Sequence, residues 1–152
     1  MDLKSLVKVR EGVSEKGVKI PWSESGDVTF SVSYCGKDAI SKSRKASLTK
    51  KLNQRTHQYE ETLDDDKFDY VIMKNTIIGW EGLKVKHLKE ILDPRVDMSA
   101  LAGQEEVEVE FNSDNLDFII KNYNLTFSRF ISGASLDIEV YNKHQEEEQI
   151  KN

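Results

Sequence analysis

Residues 28–34, with the sequence VTFSVSY, alternate strictly between apolar or aromatic and hydroxyl side chains, and this run constrains the fold more than any other. A period of two places the apolar side chains on one face of an extended chain, which is typical of a strand with one buried face. Residues 18–22 alternate in the same way, but Pro21 lacks the amide hydrogen that a central strand needs, so this second run suits a sheet edge. The turn-rich link 23–27 between the two runs predicts an antiparallel hairpin.

Helical patterns dominate the middle of the chain. Residues 37–58 contain no glycine or proline and place apolar residues sparsely among basic ones, which predicts a helix with a thin apolar stripe. Residues 62–65 carry a helix start signal, which predicts a central core helix that ends at the glycines within 79–82. A short helix is expected within 83–92, where apolar residues recur at helical spacing.

The last third of the chain combines one strand pattern with two further helices. Residues 105–111 alternate between glutamate and valine or phenylalanine, which predicts a short strand with a wet acidic face. Asn112 or Ser113 is expected to cap the helix that follows. A final apolar stripe predicts a helix over 127–141.

Together these patterns predict an α+β fold, with a small N-terminal antiparallel sheet packed with a mostly helical C-terminal two-thirds. The length of 152 residues suits one domain. We expect that domain to be β-rich over 1–36, mostly helical over 37–145 and polar in a tail over 146–152. Residues 1–16 fit either a first strand through Val7 and Val9 or a frayed arm, and both alternatives stay open.

Composition narrows the class of protein. Charged residues make up 32% of the chain, and the net charge is -5. The longest apolar stretches, such as 70–73, are far shorter than the roughly 20 residues of a membrane-spanning helix, and the first residues lack the apolar centre of a secretory signal. The single cysteine, Cys35, has no internal disulfide partner. We therefore expect a protein of the reducing cytoplasm with no membrane partner.

Residues 37–55 form a basic segment within an acidic chain, with seven lysines and arginines against one aspartate. A nucleic-acid reader usually adds stacking aromatics or a recognition motif, and this segment has neither. It therefore predicts a solvated helix or one that docks on an acidic partner, with nucleic acid as the weaker alternative. Trp80 is interpreted as either a core anchor or a contact with another subunit. The candidate interaction residues are Lys42, Arg44, Lys45, Lys50, Lys51, Arg55 and Trp80.

Three features of the sequence could suggest a site for chemistry, and each has a simpler structural explanation. Residues 64–66 with Asp69 lack the glycine and glutamate of a calcium loop and fit an acid-rich helix start. His144 and Glu148 supply fewer ligands than zinc requires. Cys35 has no histidine in a recognisable catalytic motif. The sequence therefore predicts no catalytic residue, no cofactor, no metal site and no enzyme activity.

Three segments, taken in their order along the chain, carry a resemblance to a known family. The first is the strand 28–34, followed directly by a charged helix. The second is DKFD at 66–69, which leads into an apolar helix ending in IGWEGL at 78–83. The third is VEFNSDNL at 109–116, where an aromatic residue and a cap introduce a helix. In this order the chain resembles the tail assembly chaperone-like family of small proteins encoded in phage and prophage tail regions.

This resemblance implies a phage or prophage tail accessory protein that acts as an assembly chaperone in the bacterial cytoplasm, by protein–protein binding alone. It implies other tail proteins, such as a tape-measure or tube protein, as the partners, and it leaves self-association into a homo-oligomer open. Two alternatives also stay open. One is a small nucleic-acid-binding regulator that uses the basic segment 37–55, and the other is a structural tail component kept in the virion.

Overall fold

The computed structural model describes residues 1–6, 17–22 and 26–136. Within these ranges, several helices and two antiparallel sheets confirm the predicted α+β class. The predictions for Val7 and Val9 and for the polar tail 146–152 lie outside the described residues. In chain order the elements are α1 (Leu3–Leu6), β1 (Val18–Pro21), β2 (Thr29–Val32), α2 (Lys37–Ala46), β3 (Leu48–Asn53), β4 (Gln58–Leu63), α3 (Asp65–Thr76), β5 (Ile77–Glu81), α4 (Leu88–Ile91), α5 (Ser113–Asn122) and α6 (Leu125–Leu136), with 3-10 turns at Val85–His87 and Ser99–Leu101.

The first sheet has the order β1-β2-β5, with each neighbouring pair antiparallel. Strands β1 and β2 form the predicted antiparallel hairpin, with Ile20 opposite Phe30. The strand that contains Pro21 lies at the edge of the sheet, as its missing amide hydrogen predicts. On the other side of β2, Phe30 faces Trp80 of β5.

Strand β5 corrects the prediction that the core helix continues to the glycines within 79–82. Helix α3 ends at Thr76, and Ile77 already has extended backbone. The reason lies in Ser33, whose N–H donates to the Thr76 carbonyl at 2.8 Å and whose hydroxyl donates to the Asn75 carbonyl at 3.0 Å. These bonds satisfy carbonyls that a helix end leaves free, so the chain turns at once into a strand.

The prediction of one helix over residues 37–58 is correct only for its first half, and the second half is a β-hairpin. Near the end of helix α2, two serine side chains bond to backbone carbonyls one turn earlier. The Ser43 hydroxyl donates to the Ala39 carbonyl at 2.8 Å, and the Ser47 hydroxyl donates to the Ser43 carbonyl at 2.7 Å. Such bonds compete with the backbone bonds of the helix, which ends at Ala46. Strands β3 and β4 follow, joined by a turn over residues 54–57. Three strands therefore lie in the region that was predicted to be mostly helical.

Side-chain caps place the other helices close to where the sequence predicts them. The Asp64 carboxylate accepts from the Lys67 N–H at 3.1 Å and begins α3. The Asn112 side chain accepts from the Asn115 N–H at 2.8 Å and begins α5, which confirms the predicted cap. Helix α6 follows an equivalent bond at Asn124, and the predicted end of that helix near residue 141 lies beyond the described residues.

Residues 105–111 do not form the predicted strand, and residues 105 and 106 lie in a turn closed by the bond from the Val107 N–H to the Gln104 carbonyl at 3.0 Å. Their pairing in the described residues is limited to a single bridge between Lys84 and Glu108. The Val109 N–H donates to the Leu83 carbonyl at 2.7 Å, and the Val85 N–H donates to the Val107 carbonyl at 2.9 Å. These bonds attach the segment to residues 83–85. The short helix that the sequence predicts within 83–92 is present as the turn at Val85–His87 followed by α4.

The core lies between the inner face of the first sheet and helices α3 to α6. Phe30 of the central strand is fully buried, and its ring lies 5.2 Å from that of Phe127 and 6.2 Å from that of Trp80. Trp22 and Phe130 complete this ring cluster, with Trp22 also donating from its indole nitrogen to the Glu90 carboxylate at 3.0 Å. The remaining buried members are mostly aliphatic: Val28, Val32, Met73, Ile77, Leu83, Leu88, Ile91, Leu92, Leu116, Ile119, Ile120, Ile131 and Ala134.

Candidate interaction surface

Strands β3 and β4, with the turn between them, form a hairpin that we call the hairpin arm (residues 48–63). Its residues are all exposed or half-buried, and its two strands contact chiefly one another. The body holds the arm at its base, where the Asp64 N–H donates to the Ser47 carbonyl at 2.9 Å. No other strand among the described residues pairs with either edge of the arm. An isolated two-stranded hairpin is marginally stable in water, so the pairing of β3 with β4 alone gives this arm little stability.

One side of the hairpin arm is largely apolar. The strand register pairs Leu48 with Leu63 and Leu52 with Tyr59, and side chains two residues apart along a strand share a face. These four side chains are 38%, 38%, 52% and 73% exposed, in that order. Lys50 and Glu61 form the middle pair of the same face. We call this surface the apolar face, and its residues are Leu48, Lys50, Leu52, Tyr59, Glu61 and Leu63.

The opposite side of the arm is polar. Lys51 pairs in register with Glu60, and Thr49 pairs with Thr62. The Asn53 amide donates to the Glu60 carboxylate at 2.7 Å, close to the turn. The contrast between the two sides indicates that only the apolar face is suited to lose its water in a complex.

The prediction that one helix carries all the cations of the basic segment is wrong, because the structure places them on three different elements. Lys42, Arg44 and Lys45 lie exposed on α2, Lys50 and Lys51 lie on β3, and Arg55 lies in the turn of the arm. Glu61 and Glu60 stand opposite Lys50 and Lys51 across the arm. Because a glutamate faces each of these two lysines, the arm carries no continuous basic strip.

Trp80 belongs to the core and not to an exposed surface. Its side chain is only 8% exposed, and its indole nitrogen donates to the Val109 carbonyl at 2.7 Å. Its ring makes an edge contact with Phe111, with ring centres 4.7 Å apart. Trp80 was predicted to be either a core anchor or a contact with another subunit, and the structure shows that it is a core anchor.

Sequence reasoning missed the apolar face. Leu48 and Leu52 fit the sparse apolar stripe of the helix predicted over 37–58, and Tyr59 lies just beyond that range. A signal for the arm was present, since Thr49, Tyr59 and Thr62 all favour strands. The turn gave no glycine or proline as a marker, because His57 itself adopts the left-handed conformation with φ of 56°.

A groove of about 510 Å³ runs between α2 and α3, and Cys35 lies in its wall. This residue is 7% exposed, and its N–H donates to the Ser135 carbonyl at 2.9 Å. Burial raises the pKa of the Cys35 thiol above its ordinary value. A raised pKa lowers the fraction of reactive thiolate at neutral pH, which fits a packing role for this cysteine.

We expect Cys35 to react with an aromatic disulfide reagent at pH 8 at least about tenfold more slowly in the folded protein than in urea, because burial limits both access and ionisation. The measurement is the rate of release of the coloured thiol from the reagent, with and without denaturant. Equal rates in the two conditions would contradict the buried position of this side chain.

A cleft of about 450 Å³ between α3 and α5 is lined by ionisable groups, including Asp66, Asp69 and Lys121. Desolvation, together with the nearby carboxylates of Asp65 and Asp66, raises the pKa of Asp69. At its edge the Tyr70 hydroxyl donates to the Asp117 carboxylate at 2.8 Å, which ties the two helices together. The described residues contain no group of three or more side chains arranged to hold a metal ion.

Among the residues that the structure describes, no helix has the length and apolar character needed to cross a membrane. Comparison with protein-family models, with curated proteins and with solved structures finds no match to this chain.

Proposed function

We propose that this protein acts by binding other proteins and that the apolar face of the hairpin arm is its binding surface. The observation that carries the proposal is a cluster of four exposed side chains on one side of the hairpin arm: Leu48, Leu52, Tyr59 and Leu63. Exposed apolar clusters of this kind mark binding sites, since leaving them in water is unfavourable. Tyrosine is also enriched among the residues that contribute most to interfaces.

For the class of partner, the resemblance of the three segments supports a phage or prophage tail accessory protein. In this proposal the chain is a tail assembly chaperone of the bacterial cytoplasm, and its client is a tape-measure or tube protein. A component that stays in the virion is the alternative within the same class. Binding through an exposed arm suits a chaperone, because the client can be released without any change in the core.

A regulator that binds nucleic acid is less well supported by the positions of the cations. Such a protein would use Lys42, Arg44 and Lys45 of α2 together with Lys50 and Lys51 of β3. Phosphate binding needs cations that act together along a backbone. Glu61 and Glu60 stand beside the two lysines of β3 and oppose that use.

The test is capture of a client from cells that express the chain together with the genes flanking its own. We expect the unaltered protein to retain a tape-measure or tube protein, identified by mass spectrometry. The double variant L52S/Y59S should retain at least about tenfold less, because burial of each side chain contributes about 1.5–3 kcal/mol.

The matched control is the double variant K51S/E60S, which alters one register pair on the opposite side of the arm. It should retain the client within about threefold of the unaltered protein, because exposed polar substitutions have small effects. Failure to recover any tail protein, or equal losses in the two double variants, would contradict the proposed function.

A further inference from the structure

We propose that a second copy of this chain occupies the apolar face when no client is bound, so that two hairpin arms pack face to face about a two-fold axis parallel to their strands. The inference rests on the proposed function in that it concerns the same surface. It adds a partner and a form of control, since a client must displace the second copy.

The register of the arm makes the apolar face complementary to itself. Along the face, three cross-strand pairs follow one another: Leu48 with Leu63, Lys50 with Glu61, and Leu52 with Tyr59. An axis parallel to the strands places β3 of one copy over β4 of the other. Each pair then meets the same pair of the second copy with its two members exchanged, as in other two-fold interfaces.

Charge selects this axis over the alternative. With the axis parallel to the strands, Lys50 of each copy lies opposite Glu61 of the other. An axis that runs across the strands within the same interface would place Lys50 opposite Lys50 and Glu61 opposite Glu61, and like charges in contact oppose association. The ion pairs within the described residues do not engage Lys50 or Glu61, so both are free to pair with a second copy.

The same two charges favour a second copy over a wholly apolar partner. A partner without charges would remove water from Lys50 and Glu61 and leave each of them only the other as a polar partner, and a single desolvated ion pair is costly. A second copy offers both the apolar ends and the opposite charges at matching places. The face is small, because six residues of strand extend only about 20 Å, so the expected dimer is weak, with a dissociation constant in the micromolar range.

The experiment is sedimentation velocity of the full chain over about 1–200 μM, comparing the charge variants K50E and K51E. Both lysines face a glutamate across the arm, so the two changes affect the arm itself equally, but only Lys50 lies on the apolar face. We expect a dimer for the unaltered protein, at least about tenfold weaker association for K50E, and a change within about threefold for K51E.

The loss of association in K50E alone tests the axis, because an axis across the strands would already place like charges together in the unaltered protein. Mixing two variants tests whether the two apolar faces meet at all. K50E makes both charges of the face negative, and E61K makes both of them positive, so each variant alone should be mostly monomeric. An equimolar mixture should form a dimer at least as well as the unaltered protein, because opposite charges then meet across the axis. Circular dichroism of each variant establishes that the arm and body remain folded.

Several outcomes would overturn the inference. One is a chain that stays monomeric over the whole range, another is a dimer that K50E and K51E weaken equally, and a third is a mixture of K50E and E61K that does not associate. None of these touches the proposed function, because client capture is measured separately. Conversely, a dimer with the expected charge dependence but without any client would support this inference and contradict the proposed function.

Discussion

Replacing Phe30 by alanine is expected to lower the free energy of unfolding by about 3–5 kcal/mol, the range for removing a large aromatic side chain from a core. Phe30 is fully buried on the central strand β2 and contacts rings from both the sheet and α6, including Trp80 and Phe127. Its removal would leave a cavity that these elements cannot fill without moving the sheet and the helix together. Urea denaturation followed by circular dichroism measures the loss.

Phe118 of α5 provides a matched control for this substitution. It is the same residue type but is 49% exposed, so its replacement by alanine should cost less than about 1 kcal/mol. Losses of similar size for F30A and F118A would show that the ring cluster is not the centre of the core. If F30A fails to fold, the conservative variant F30L should still lose about 1 kcal/mol or more.

Replacing Gly82 by alanine is expected to lower the free energy of unfolding by at least about 2 kcal/mol, from backbone strain and a steric overlap acting together. Gly82 has φ of 75°, a conformation that residues with a Cβ adopt only at a cost. A Cβ at this position would also overlap the carbonyl oxygen of Asp27, which is backbone and cannot rotate away. Thermal and urea unfolding of G82A measure the combined effect.

Gly103 separates the two contributions. It also has a positive φ, of 82°, but a Cβ there would meet no atom within 4 Å. The variant G103A should therefore lose only the conformational part, about 1 kcal/mol. An effect of G82A no larger than that of G103A would mean that the close approach to Asp27 does not constrain the fold.

The features that the sequence predicted well depend on residues close together in the chain. The alternation over 28–34 gave β2, the missing amide hydrogen of Pro21 gave the edge strand, and Asn112 gave the start of α5. Each of these signals acts within a few residues and needs no knowledge of tertiary contacts. The α+β class followed from them.

The end of α3 could not be predicted in the same way. The bonds that replace its last intrahelical bonds come from Ser33, which is 43 residues before Thr76 in the sequence. No sequence signal near Thr76 indicates these bonds, and the glycines that follow are typical of a helix end. Only the packing of α3 beside β2 brings the two residues together.

The hairpin arm was missed for a different reason. Leu48 and Leu52 are four residues apart, and residues four apart share a face both in a helix and in a strand. The pair therefore could not distinguish the two structures, and the lysines around it suit an exposed helix equally well. The sequence pattern therefore indicates the cations but not the apolar face that lies among them.

The way in which the hairpin arm is attached has a consequence for how this protein can diversify. The chain leaves the body at Ser47 and returns at Asp64, and one backbone hydrogen bond joins these two residues. Everything between them can change in length or composition while the entry and exit points stay together. Under the proposed function, partner preference would therefore change through substitutions in the arm, without altering the core on which folding depends.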